Sequence, residues 1–153
     1  MERDNEKIEA VMKSMRAYTY EEALEVSLEY FGGDELAASV FLGKYALQGE
    51  GGNYLEEYPC VMQQRLAKEF ARIEKKYDNP LSYEEIYNLL VNFKYIVPQG
   101  SPMSGIGNDY QIQSLSNCFV IESPHDSYGG ILKTDQEQVQ IMKRRGGVGF
   151  DIS

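Results

Sequence analysis

Apolar side chains recur at three- and four-residue spacing through most of the first 95 positions, and each run carries its own start and stop signals. Tyr20, Leu24, Leu28 and Phe31 fall on one helical face. Thr19 and Glu22 precede them at capping-box spacing, in which the hydroxyl accepts a first-turn amide and the carboxylate reaches back to the cap amide. Gly32-Gly33 closes the run, since glycine admits the left-handed backbone of a helix end. Asp34 supplies the cap of a second predicted helix, through about Leu47, which the loop QGEGGN ends. A third predicted helix covers residues 59–77, with Met62, Leu66, Phe70, Ile73 and Tyr77 on one stripe before Asp78-Asn79-Pro80 breaks it. Ser82 and Glu85 form a second capping box ahead of Ile86, Leu89, Leu90 and Phe93. All four stripes are read as core-packing surfaces.

The texture changes at YIVPQGSPMSGIGN, residues 95–108. Pro98 and Pro102 have no amide to donate and do not continue a helix, so this stretch is read as a shaped loop or a linker. Residues 112–121 then predict a strand. Its segment CFVI is continuously apolar, as in a strand covered on both faces. Thr134 and Glu137 stand at capping-box spacing and predict a helix over residues 135–144, followed by a glycine-rich turn and a new strand in VGFDI. Strand, helix and strand make a βαβ-like unit. The predicted fold class is therefore α+β to α/β, with an N-terminal helical domain over residues 1–95 and the start of an α/β domain over residues 96–153. No internal repeat or low-complexity segment interrupts this order.

Composition narrows the function. Of 153 residues, 42% are apolar and 25% charged, the range of ordinary globular proteins. The net charge of −9 argues against direct nucleic-acid binding and against a membrane-surface protein, both of which use a basic face. The start MERDNEKIEAVMKSM is charged throughout and lacks the apolar core of a signal peptide, and no apolar run reaches membrane-spanning length. The two cysteines, Cys60 and Cys118, make no disulfide framework, so a reducing, cytoplasmic setting is expected.

Strand alternation gives Cys118 a definite position. Ser116, Cys118 and Val120 share one face, and Asn117, Phe119 and Ile121 the other. Two readings stand: a thiol facing a site, or a small buried hydrophobe without reactivity. Cys60, next to Pro59 at a helix start, is read as structural. Asp126 and Ser127, followed by Gly129-Gly130, form a turn that either accepts ribose hydroxyls or simply reverses the chain. His125 is the single histidine, with no cluster to join, so no metal site is expected. GSPMSGIG and RRGGVGF place glycines where backbone amides can approach a ligand. Neither has the Gly-Lys-Ser/Thr ending of a phosphate-binding loop or the GxGxxG dinucleotide fingerprint. Lys143, Arg144 and Arg145 suit the negative end of a helix dipole.

Taken together, VPQGSPMSGIGN, QSLSNCFVI and DSYGGILKTDQEQVQIMKRRGGVGFDIS, with KYAL and LAKEFARIEKKY before them, resemble the large, catalytic subunit of ribonucleotide reductase from about Tyr18 onward. The texture is most similar to the adenosylcobalamin-dependent (class II) type. The resemblance implies that the last part of the chain begins a ten-stranded α/β barrel. It implies that Cys118 is one of two active-site reducing thiols, which remove the ribose 2′-hydroxyl and end as a disulfide. It further implies substrate contacts at Ser101 and Asn117, a turn at Gly146 and Gly147 whose backbone approaches the substrate, and effector-nucleotide contacts at Asp126 and Ser127.

The implied company is large. It comprises a ribonucleotide substrate, a deoxynucleotide or ATP effector, a thioredoxin-like reductant, adenosylcobalamin or else a metal-radical small subunit, and a homodimer of the assembled subunit. The radical-bearing cysteine, the partner of Cys118 and most of the barrel are not in these 153 residues. The chain alone is therefore expected to be inactive and to need the C-terminal remainder of the subunit. The stretch before Tyr18 is short for the ATP-binding cone of many relatives, so control through that module is not expected. The alternative from another class is a non-catalytic nucleotide-binding or interaction module, for which unpaired strand edges are a liability.

Overall fold

The computed structural model describes residues 17–49 and 51–153; the charged N-terminal stretch and Glu50 of the QGEGGN loop lie outside the described residues. The chain divides into two compact units, one up to Gln64 and one from Arg65 to Ser153.

In the first unit, α1 (Tyr20–Tyr30) opens with the expected capping box, with Thr19 Oγ1 accepting from the Glu22 amide at 3.3 Å and Glu22 Oε2 accepting from the Thr19 amide at 2.9 Å. Gly32 and Gly33 follow in the left-handed region, φ 64° and 90°, and the Gly33 amide donates to Leu28 O at 2.8 Å. Deepest burial in α1 falls on Ala23 and Ser27, while Leu24, Leu28 and Phe31 are half-buried and Tyr20 is exposed. The predicted stripe of large residues thus flanks a line of small ones. Small side chains permit close approach there, and the Ser27 hydroxyl donates to Glu57 O at 2.5 Å. The second helix, α2 (Glu35–Lys44), is capped by Asp34, which accepts from the Ala37 amide at 2.9 Å. Ala38, Phe41 and Leu42 are its buried residues. After the glycine loop, Tyr54 bridges antiparallel to Tyr18 and to Gln48. The buried Glu56 carboxylate accepts from the Leu47 amide at 2.9 Å.

The unit boundary falls within α3 (Pro59–Glu74), where Met62, Leu66 and Ala67 are fully buried. Further along its predicted stripe Phe70 is 40% and Tyr77 64% exposed, so the stripe is core only in its first half. Helix α4 (Tyr83–Leu90) has the second expected capping box and buries Ile86 and Leu90. A 3-10 turn at Val91–Phe93 holds Asn92 and Phe93 at positive φ, reversing the chain so that the Ile96 amide meets Leu89 O at 3.0 Å.

Three expectations for the C-terminal part are corrected. The proline–glycine stretch is a short helix, α5 (Gly100–Gly105). Pro102 lies in its first turn, where a missing amide leaves no intrahelical bond unmade. The strand is shorter than residues 112–121: β1 spans Cys118–Val120 and pairs parallel with β2 (Gly147–Gly149), in register Cys118↔Gly147, Phe119↔Val148 and Val120↔Gly149. Neither is it covered on both faces, since Val120 is 91% exposed and Cys118 is exposed. Among the described residues α6 (Tyr128–Met142) is the helix that packs on this ladder, on the Phe119 side. The third correction concerns the start of α6. Ser127, not Thr134, is its cap, accepting from the Gly130 amide at 3.0 Å, and Thr134 lies buried within the helix. The result is a helical N-terminal domain with a small two-stranded parallel sheet joined by a helical crossover.

Candidate active site

The first rung of the ladder gathers the residues that the sequence singled out. Asn117, just ahead of β1, uses both ends of its side chain. Its Oδ1 accepts from the Ser101 amide at 2.7 Å, and its Nδ2 donates to Gln99 Oε1. Its main-chain oxygen accepts from the Gly147 amide at 2.6 Å. Cys118 stands opposite Gly147 in the register. Ser101, Asn117, Cys118 and Gly147 therefore form one hydrogen-bonded neighbourhood, with the Cys118 thiol on the exposed face.

The two glycines of the turn leave different amounts of room for a side chain. A methyl group at Gly146 would come within 2.7 Å of Ile141 Cγ2 and 2.8 Å of the Phe119 ring. One at Gly147 would sit 3.1 Å from Asn117 O and 4.0 Å from Cys118 Sγ. The space beside the thiol exists because no side chain fills it. Arg145, with φ 65°, makes the turn from α6 into β2, and the Arg144 main-chain oxygen accepts from the Ser114 amide at 2.9 Å.

Helix α5 is fastened from several directions. The Ser104 hydroxyl lies 3.1 Å from Gly100 O and 3.1 Å from Gln113 Oε1, while Gln113 Nε2 donates to Ser104 O at 2.8 Å. Asn108 donates to Ser104 O at 3.2 Å and accepts from the Tyr110 and Gln111 amides. Arg65 reaches in from α3, with Nη2 donating to Met103 O at 2.9 Å and Nη1 to Ile106 O. Periodicity gave no sign of Arg65, Gln99, Ser104 or Gln113, because it reports apolar faces and these residues act through hydrogen bonds 9 to 41 residues apart.

Asp126 and Ser127 lie on the loop after β1, at the other end of the strand from Cys118. Asp126 is exposed, and Ser127 is occupied in capping α6. Gly130 has the adjacent constraint, since a side chain there would collide with the His125 main-chain oxygen. Beyond β2, the Asp151 carboxyl is held below its ordinary range by the Ser153 amide, which donates at 2.9 Å, and by the Ser153 hydroxyl. Among the described residues no three His, Cys, Asp or Glu side chains are grouped to hold a metal ion, and no helix is long and apolar enough to cross a membrane.

The family model described as ribonucleotide reductase, all-alpha domain, matches residues 31–111, which is 81 of the 153 positions. The chain belongs to the ribonucleotide reductase family. It carries the N-terminal, all-alpha portion of the large subunit, and no curated protein sequence matches it. Within this ribonucleotide reductase portion the matched span includes α2 to α5, hence Ser101, and stops at Gln111. Asn117, Cys118 and the two-stranded ladder follow that span.

Proposed function

We propose that the chain is the N-terminal part of a ribonucleotide reductase catalytic subunit of the adenosylcobalamin-dependent type. Residues 1–95 act as its helical domain, and residues 96–153 begin its ten-stranded barrel. The reaction replaces the ribose 2′-hydroxyl by hydrogen. Two thiols give two electrons and two protons, the hydroxyl leaves as water, and the thiols end joined as a disulfide. Cys118 is one of these thiols, and the other belongs to the remainder of the subunit. A thioredoxin-like dithiol then reduces the disulfide by exchange. Ser101, Asn117 and the backbone at Gly146 and Gly147 face the ribonucleotide, while Asp126 and Ser127 meet the deoxynucleotide or ATP effector.

What carries this reading is the hydrogen-bonded link of Ser101, Asn117 and Gly147 at the rung that bears the exposed Cys118, directly after an all-alpha span matched to the family. The site presents an exposed thiol beside backbone that is already held, since the Asn117 carboxamide bridges Ser101 and Gln99 and the Gly146 and Gly147 amides donate to Ile141 O and Asn117 O. It does not fit a corrin or a metal cluster. The adenosylcobalamin, or in its place a metal-radical subunit, is accordingly assigned to residues outside this chain, and it supplies the radical. The exposed Val120 face supports a requirement for further strands, and the assembled subunit is expected to form a cytoplasmic homodimer.

The test is reconstitution. This chain is mixed with a separately produced C-terminal remainder, and ribonucleotide reduction is assayed with and without adenosylcobalamin. Turnover from the mixture alone, dependent on adenosylcobalamin, is the expected result. Turnover requiring a metal-radical subunit would replace the cofactor assignment. A folded complex inactive with either would leave a non-catalytic module of the same family.

A further inference from the structure

The short α5 is held at both ends by side chains from different parts of the chain. At its start, the Ser101 amide donates to Asn117 Oδ1 at 2.7 Å. Asn117 thus serves as a helix cap contributed from just ahead of β1, in a helix whose own cap residue, Gln99, makes no capping bond. At its end, the Arg65 guanidinium spreads over two carbonyls, Met103 O at 2.9 Å and Ile106 O. A planar fork suits this task, because it places two donors at fixed separation and opposes the negative end of the helix. Gly107, at φ 70°, lets the chain pass closely beneath; a side chain there would meet Arg65 Cγ at 3.0 Å.

We propose that Arg65 is a positioning residue for the substrate segment: with Asn117 it fixes α5 at both ends, and so fixes Ser101 relative to Cys118. This role rests on the reading of Ser101 and Cys118 as substrate-facing. Arg65 does not touch the reacting atoms. It acts through α5, and the carbonyls that it holds lie two and five residues beyond Ser101 in the chain.

The experiment compares the wild-type chain with Arg65→Ala, Arg65→Lys and, as a control on the same helix, Arg72→Ala, whose arginine pairs with Glu69. Amide exchange is measured by NMR on the chain, and KM and kcat for the ribonucleotide are measured after reconstitution. In Arg65→Ala, exchange at Ser101, Met103 and Ile106 is expected to accelerate by about tenfold or more, the worth of a charge-assisted hydrogen bond, while Ile86 in α4 is unchanged. KM is expected to rise more than kcat falls. Arg65→Lys keeps the stem and charge, guarding against simple unfolding, and is expected to recover only part of the loss because one ammonium does not reproduce the fork.

Unchanged exchange at Ser101 in both Arg65 variants would overturn the proposal, whatever the turnover. So would equal effects in Arg72→Ala, or full recovery by Arg65→Lys. Absence of turnover in the reconstituted wild type would instead count against the reductase reading, with the exchange comparison still deciding whether Arg65 holds Ser101.

Discussion

Cys118 and Gly147 face each other across the first rung of the parallel ladder, and a methyl group on Gly147 would lie 4.0 Å from the Cys118 sulfur. The thiol has open space because its strand partner has no side chain. Gly147→Ala is therefore expected to slow alkylation of Cys118 by a maleimide and to reduce turnover of the reconstituted enzyme, with a small effect on folding. Gly146→Ala puts its methyl against Ile141 and the Phe119 ring instead, and is expected to destabilise by about 1–3 kcal/mol. Urea unfolding with parallel alkylation rates separates the two. Equal stability losses with identical alkylation rates would contradict this division of roles.

The start of α6 is tested by its cap. Ser127→Ala removes the acceptor of the Gly130 amide and is expected to cost about 0.5–2 kcal/mol, whereas Ser127→Gly costs only a few tenths. Glu137→Gln, which would unmake a capping box if the helix began beside Thr134, is expected to stay within about 0.5 kcal/mol. It disturbs only a part-exposed 3.8 Å pair with Lys133. Chemical denaturation of the three variants measures the difference.

Local chemistry made some starts legible and misplaced this one for an identifiable reason. The boxes Thr19–Glu22 and Ser82–Glu85, and the cap at Asp34, operate within four residues, so sequence specifies them nearly completely. Thr134–Glu137 has the same spacing, but the pattern also occurs inside helices, and the chain leaving β1 had already begun a helix at Ser127. Pro102 read as a breaker because its place relative to the helix start was unknown. The apolar run CFVI read as a strand covered on both faces, whereas among the described residues α6 packs on one side and Val120 is exposed on the other. The links Asn117–Ser101 and Arg65–Ile106 span 16 and 41 residues, and no local pattern encodes them.

A pH dependence follows from Glu85. The Ser82 amide and then the Ser82 hydroxyl, each 2.8 Å from Glu85 Oε2, hold the carboxyl below its ordinary range. A carboxyl depressed in the folded state contributes stability that is fully present above its unfolded value and is lost as pH falls through its folded value. The stability advantage of wild type over Glu85→Gln is thus expected to be constant near neutral pH and to shrink on acidification below about 4.3, the unperturbed range for glutamate. Denaturant midpoints across acidic pH check the sign, and a difference that widens on acidification would contradict it.

Asp126, exposed beside the α6 cap, is expected to matter for the effector and not for the substrate. Asp126→Ala is expected to weaken effector-nucleotide binding by roughly tenfold, as for loss of one hydrogen bond to a charged group, with ribonucleotide affinity unchanged. Calorimetric titration of the reconstituted subunit with each nucleotide measures both. Equal affinity for effector in the variant would remove Asp126 from that site.

The role of Cys118 is the central claim, and its state after a single turnover tests it most directly. The reconstituted enzyme is given ribonucleotide without external reductant, quenched with an alkylating agent and mapped by mass spectrometry. One deoxyribonucleotide per site is expected, with Cys118 joined in a disulfide to a thiol of the remainder. Stoichiometric product with Cys118 recovered as the alkylated free thiol would contradict it.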